Sequence, residues 1–322
     1  MSSHQRPRTV CVLGGSGFVG RSLCNQLVRH GYSVRVPTRN PAHRRHLLVL
    51  PGVNLLTADI RSAGALGHLL EGCDAVVNLV GILNEPGHDG SGFKSVHVDL
   101  VERLAHACND VGVERLVHVS ALKANAERGP SHYLRTKGQA EQLIHSLCGD
   151  DIRFTIFRPS VIFGPDDSFI NRFATLLSRL PLLPVPRLGA RFAPVYVEDV
   201  AAAIVKALED SSTHGQTYEL CGPDIYTLGE ILQFILRQLE IRRWVLPVPL
   251  LLAHVQAWIA DYLIPGKPFS LDNLRSLYVA SVCSENGFAA LGIEPKTMHA
   301  IVPSYLGRDL PRLAKLRQTT RR

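Results

Sequence analysis

A doubly wound α/β fold, with a parallel sheet in the first half of the chain and a smaller mixed region after it, follows from three observations. Short apolar runs rich in Val, Leu and Ile alternate with longer helical patterns, as strands covered on both faces and their crossover helices should. The first run, Thr9–Leu13, ends in the glycine-rich turn Gly14-Gly15-Ser16-Gly17-Phe18-Val19-Gly20 and leads directly into an amphipathic stretch, Phe18–His30. Beyond Phe163 the alternation stops, and Pro181, Pro184, Pro186 and Pro194 mark loops.

The strands are predicted at Val10–Leu13, Ser33–Val36, Asn54–Thr57, Ala75–Val80, Leu116–Ser120 and Phe154–Arg158, with helices that include Lys94–Val111 and Tyr133–Cys148. Right-handed crossovers between them build a Rossmann-type dinucleotide-binding domain over residues 1–165. Residues 166–322 form a smaller substrate or partner region interleaved with the first. It holds a helix at Val197–Glu209, a strand at Thr217–Leu220 and a helix at Leu228–Leu239.

The composition is that of a globular protein: 322 residues, 46% hydrophobic and 20% charged, with a net charge of +7. Part of the positive excess is local, in Arg308, Arg312, Lys315, Arg317, Arg321 and Arg322. Such a tail suits acidic lipid or an acidic partner as well as it suits a solvated end. Nucleic-acid binding is not expected, because no aromatic residues interleave with the basic ones. The seven cysteines show no CxxC spacing and read as buried, reduced thiols. The first strand starts within ten residues of Met1, so no signal peptide is expected. The expected location is cytoplasmic, or peripheral on the inner membrane. Trp244–Pro265 is very apolar but is interrupted by Pro247 and Pro249, and its uninterrupted part is too short to cross a bilayer of roughly 30 Å. It reads as a buried or partner-docking helix, or as one lying at a membrane surface.

The glycine turn carries the first chemistry. Gly14 allows a sharp reversal, Gly17 leaves the backbone N–H groups open to a pyrophosphate, and Gly20 lets the helix lie close. The helix N-terminus, with Ser16, Phe18 and Val19 around it, favours phosphate. The second strand ends Val36-Pro37-Thr38-Arg39-Asn40, without the acid that would bind a ribose 2′-hydroxyl. Arg39, assisted by Arg44 or Arg45, suits a 2′-phosphate, so NADPH is favoured over NADH. Asp59 and Ile60 follow the third strand, where an acid stands beside the adenine. Val80 and Gly81 close the fourth, where the chain runs near the cofactor.

Ser120, Tyr133 and Lys137 form the second constellation. Tyr133 and Lys137 are spaced i, i+4 and share one helix face. The ammonium can lower the phenol pKa and hold a ribose. The serine–tyrosine–lysine set of short-chain dehydrogenases, which this spacing resembles, implies a tyrosine acting as general acid or base and a serine that steadies the carbonyl or alcohol.

The GxxGxxG spacing and this serine–tyrosine–lysine set resemble the short-chain dehydrogenase/reductase class. Arg158-Pro159-Ser160-Val161-Ile162-Phe163-Gly164-Pro165 resembles the RPxxVYGP stretch of its extended, epimerase/dehydratase-like branch, in which Pro159 passes the nicotinamide end. His97, within Ser95–Asp99, stands where that branch usually has a helper asparagine. Val117–Leu122, Arg158–Phe173 and Pro194–Ala201 are similar to one atypical subgroup, that of the NADPH-binding accessory subunit of respiratory complex I and its bacterial relatives, over most of residues 9–240. The resemblance implies NADPH held as a largely structural cofactor, and a partner in a membrane complex or at a membrane surface, reached through Trp244–Pro265 and the basic tail. The other reading is an active NADP-dependent reductase, epimerase or dehydratase acting on a small molecule.

Overall fold

The computed structural model describes residues 8–62, 64–149, 151–262 and 269–307. The basic tail at 308–322 and the end of the Trp244–Pro265 segment lie outside these residues. The chain divides into two compact units. The first comprises residues 1–159, 198–220 and 286–293; the second comprises 160–197, 221–285 and 294–322.

In the first unit, seven strands numbered along the chain form one sheet: β1 (Thr9–Leu13), β2 (Ser33–Thr38), β3 (Val53–Thr57), β4 (Ala75–Asn78), β5 (Arg115–Val119), β6 (Arg153–Pro159) and β11 (Gln216–Leu220). Their order is β11-β6-β5-β4-β1-β2-β3, and every neighbouring pair is parallel. β4 and β5 are buried at every position, the polar Asn78, Arg115 and His118 included, as strands covered on both faces are. Helices α1 (Phe18–Arg29), α2 (Ala65–Leu70), α3 (Ser91–Lys94), α4 (Leu100–Val111), α5 (His132–Leu147) and α7 (Val197–Glu209) complete the unit. Leu104, Cys108, Ala140 and Ile144 of α4 and α5 pack with Leu13, Val76 and Ile156 of the sheet into one core.

Two expectations are corrected here. The predicted helix Lys94–Val111 begins earlier, at Ser91, and contains a π-helical turn at Ser95–Asp99. The strand and helix expected in the C-terminal region belong to the first unit instead. Gln216–Leu220 is its seventh strand, because pairing with β6 buries a sheet edge that would otherwise be open.

The second unit holds β7 (Ile162–Phe163), β8 (Leu182–Pro186), β9 (Arg191–Phe192), β10 (Val195–Tyr196), β12 (Tyr226–Thr227) and β13 (Trp244–Val248). They form three two-stranded ribbons, pairing β10 with β7, β12 with β9 and β13 with β8. Its helices are α6 (Ile170–Arg179), α8 (Leu228–Leu239), α9 (Leu250–Tyr262), α10 (Leu271–Ser276) and α11 (Met298–Ile301). The core gathers Phe163, Ile170, Leu177, Ile231, Ile235 and Val302. α8 starts with a capping box in which Thr227 and Glu230 satisfy each other's backbone N–H groups.

Trp244–Pro265 is not one helix. Trp244–Val248 is a strand parallel to β8, and α9 begins only after Pro249. Among the described residues, no helix is long and apolar enough to cross a membrane. Cys221 and Cys283 form a disulfide across 62 residues, which corrects the reading of all seven cysteines as reduced. Cys11, Cys24, Cys73, Cys108 and Cys148 are free and buried.

Candidate functional site

The predicted site residues of the first unit end or follow the strands β1 to β6 or lie on the helices α1 and α5. The strand order reverses between β1 and β4, which is where such sheets leave a crevice for a ligand. Gly14 has φ +81°, a left-handed conformation that disfavours any other residue. Gly17 N–H donates to Gly14 O at 2.9 Å, which closes the turn.

Gly17 and Gly20 differ in what surrounds them. A Cβ on Gly20 would strike the backbone of Gly14 and Gly15, with Gly15 Cα at 2.5 Å. Gly20 therefore serves the packing of α1 against the turn itself. A Cβ on Gly17 would meet only Gly14 O, at 3.2 Å, and the residue is exposed. It lines an open cradle. Gly17 is also the N-cap of α1; no side chain caps the helix and no acid lies in its first turn. Open glycine backbone and an uncapped helix N-terminus fit a pyrophosphate. Ser16, Phe18 and Val19 border this cradle and are half-buried.

Arg39 follows β2 directly and is exposed; Arg44 is exposed as well, and the side chain of Arg45 lies outside the described residues. Asp59, past β3, accepts from the Arg61 backbone N–H at 3.1 Å and from Arg61 Nε at 3.3 Å. These bonds, with the nearby charges of Arg61 and Arg39, hold its carboxyl below the usual range. The arginine after Asp59 is a feature that sequence reasoning did not single out. Ile60 packs against the core of the sheet.

α5 carries Tyr133 and Lys137. Ser131 Oγ caps it by accepting from Leu134 N–H at 3.2 Å. Gly138 presses against the chain after β5, where a Cβ would meet Asn125 C at 2.5 Å. Lys137 is buried. Its ammonium donates to Val119 O at 3.0 Å and more weakly to Val80 O at 3.5 Å, and it stands close to Gly81. Burial lowers its pKa to about 8, although Glu141, one turn on, opposes this. Glu141 in turn forms a bifurcated ion pair with Arg158, whose Nε lies 2.9 Å from Oε1.

Burial pushes the Tyr133 phenol up to about 12. The expectation that the ammonium lowers this pKa is corrected: desolvation of the phenolate is the effect that wins. Ser120, just past β5, has a buried Oγ with no hydrogen-bond partner among the described residues. An orphaned hydroxyl costs stability unless a ligand oxygen reaches it. Pro159 ends β6, and its carbonyl accepts from Leu122 N–H at 3.0 Å.

His97 departs from the asparagine that the epimerase/dehydratase branch usually has at this place. It lies in the π-helical turn and is buried. Ile82 N–H donates to its Nε2 at 3.2 Å, so the ring proton is on Nδ1, which donates to Thr136 Oγ1 at 2.9 Å. Thr136 passes its own hydrogen to His132 O at 2.9 Å. His97 thus ties the segment after β4 to α5, and its ring meets Tyr133 edge-on at 5.5 Å. Burial, then the charges of Lys137 and His118, lower its pKa to about 2, so the imidazole is neutral. Behind it, Asn78 Nδ2 donates to His118 Nδ1 at 3.2 Å, and Asn78 Oδ1 accepts from Val80 N–H at 3.1 Å.

A parallel sheet with a glycine cradle at its reversal point and a serine, tyrosine and lysine at its carboxyl edge defines a Rossmann nucleotide-binding protein of the short-chain dehydrogenase type. The chain belongs to the NAD dependent epimerase/dehydratase family, whose model matches residues 10–221. It is 30% identical to the NADH-ubiquinone oxidoreductase 40 kDa subunit of Neurospora crassa, over 92% of this chain and 78% of that protein. It is 32% identical to the NADH dehydrogenase [ubiquinone] 1 alpha subcomplex subunit 9 of Mus musculus, over 88% of this chain and 76% of the relative. In fold it is similar to the UDP-glucose 4-epimerase of Thermus thermophilus, solved with NAD, at 22% identity and a TM-score of 0.72 over 94% of this chain and 99% of that one.

Proposed function

We propose that the protein binds NADPH at the β1 turn as a firmly held, mainly structural cofactor, and acts as an accessory partner of a respiratory complex at the inner membrane. In this reading Gly14, Gly17 and Gly20 with the N-terminus of α1 cradle the pyrophosphate, and Asp59 and Ile60 flank the adenine. Arg39 meets the 2′-phosphate. Val80, Gly81, Pro159, Tyr133 and Lys137 border the nicotinamide end. The similarity to respiratory-complex subunits over some nine-tenths of the chain supports the partner class.

The observation that carries the structural reading is the His97 clamp. Both ring nitrogens are engaged, and the ring is neutral at any physiological pH, so it tethers α5 and moves no proton. Lys137 is likewise tied to main-chain carbonyls, and Tyr133 keeps its proton.

A second reading rests on the orphaned Ser120 hydroxyl. An active reductase, epimerase or dehydratase would use Ser120 Oγ to hold a substrate oxygen and the Tyr133 hydroxyl to exchange a proton with it. A bound nicotinamide supplies the hydride in such chemistry. The two readings separate in one experiment. The purified protein is denatured, the released nucleotide is identified by mass spectrometry, and exchange against free NADPH is timed. About one NADPH per chain that does not exchange supports the structural role. A fast-exchanging site, with turnover of carbonyl substrates that Tyr133→Phe abolishes, supports the enzyme. A protein that takes up no nicotinamide nucleotide refutes both.

A further inference from the structure

Helix α9 is inverted relative to an ordinary surface helix. Its fully buried residues are Ala253 and Ala257, and Asp261 extends the same stripe by another turn. The alanines pack with Leu274 of α10, beside Val248, Phe269 and Leu271. The Asp261 carboxylate is buried and accepts from Leu271 N–H at 3.3 Å. The large apolar side chains point the other way. Leu251 is 79% exposed and Leu252 57%, and Val255, Trp258, Ile259 and Tyr262 are exposed with them. A helix that folds against a core in water buries its large residues and exposes its small or polar ones.

The adjoining ribbon has the same character. Gln256 Nε2 of α9 donates to Pro184 O of β8 at 3.0 Å. Trp244 on β13 is 74% exposed, and Leu246, Leu182 and Leu180 are exposed too. Both tryptophans of the chain therefore lie in these two elements. An apolar surface of this extent marks a site that something else covers.

The charge around it decides what covers it. Arg179 and Arg187 flank β8, Arg242 and Arg243 precede β13, and Arg275 is on α10; all are exposed except the half-buried Arg243. In residues 179–187, 242–262 and 269–278 the acids are Asp261 and Asp272, and both are buried. Glu240, two residues before Arg242, is exposed as well, so the exposed charge here is five arginine side chains, one of them half-buried, against one acid, and the balance is strongly positive. A second copy of the chain would set arginine against arginine. A neutral apolar partner would leave the arginines without counter-charge.

We propose that this surface of the second unit docks on an anionic phospholipid bilayer. The leucines and tryptophans enter the acyl boundary, Tyr262 and Tyr278 sit at headgroup level, and the arginines meet lipid phosphates. α9 has 13 residues, about 20 Å of helix, so it lies in the interface and does not cross. This inference rests on the second unit alone and is independent of the nucleotide site.

Tryptophan emission tests it directly in the full-length protein. Vesicles of phosphatidylcholine with roughly one-third phosphatidylglycerol should shift the emission to the blue, and partitioning should exceed that onto pure phosphatidylcholine by about tenfold, fading at high salt. Trp258→Glu, at an exposed position, should abolish vesicle binding with an unchanged circular-dichroism spectrum. Arg179→Glu with Arg242→Glu should erase the preference for anionic lipid. Equal binding to neutral vesicles overturns the proposal, and so does emission that no vesicle alters. A blue shift that appears without lipid as protein concentration rises overturns it in favour of a second copy.

Discussion

The glycine turn after β1 and the outer face of α9 both leave surface that invites a partner, and they do so in opposite ways. In the turn, small residues face outward. Gly17 leaves room over exposed backbone, and the missing side chains make space for a small ligand. In α9 the small residues face inward and the large ones face out, which makes a surface for a large partner. α8 shows what an unexceptional helix of similar length does here: Leu228, Ile231, Leu232, Phe234, Ile235 and Leu236 are all buried. Where a fold departs from its own habit, the direction of the departure tells what kind of partner is missing.

The largest effect expected is at Gly20. Gly20→Val should cost about 4 kcal/mol or more, because backbone of Gly14 and Gly15 occupies the space for its Cβ. Chemical denaturation measures it, and a loss under about 1 kcal/mol would mean that the turn yields. Next, Leu232→Ala in α8 should cost about 3 kcal/mol, against about 0.5 kcal/mol or less for Leu251→Ala in α9. Equal losses in the two variants would erase the contrast between the helices.

Gly17→Val should leave stability nearly unchanged and weaken nucleotide binding by about a hundredfold, read by calorimetric titration with NADPH. Retained stoichiometric nucleotide in that variant would remove the cradle from the site.

His97 gives a pH test. Its folded pKa, about 2, lies below the ordinary imidazole value, so below pH ~6.5 the unfolded chain binds a proton that the native state refuses. Its contribution to stability is present above that pH and is lost as pH falls, by about 1.4 kcal/mol per pH unit. His118 shifts in the same direction. His97→Gln should flatten the fall of Tm between pH 6.5 and 5; an unchanged slope would free His97 from its assigned clamp. The smallest effect is at Arg39. Arg39→Asp should weaken NADPH by about tenfold and NADH by much less. Equal losses would show that the guanidinium does not reach the 2′-phosphate.

Much of the first unit was legible in the sequence because its signals are local. The first and fourth strands are short, mostly apolar runs, the turn is seven consecutive residues, and Tyr133 and Lys137 are one helical turn apart. The boundaries moved little: Phe18–His30 became Phe18–Arg29, and Tyr133–Cys148 became His132–Leu147. Lower legibility began where a residue's role depends on distant chain. The departure at His97 was visible, but its bond to Ile82 N–H and its π-helical setting were not.

The sequence by itself determined the parallel sheet, the glycine turn after β1 and the placing of Tyr133 and Lys137 on one helix face, since periodicity and spacing act over a few residues. Only the tertiary structure decided the rest. It joined Cys221 to Cys283 across 62 residues, brought Gln216–Leu220 beside β6, and raised the Tyr133 pKa by burying it. It also turned the alanines of α9 inward and its tryptophan out. A run of mostly apolar residues has no preferred side of its own; which face is buried depends on what the rest of the chain packs against it.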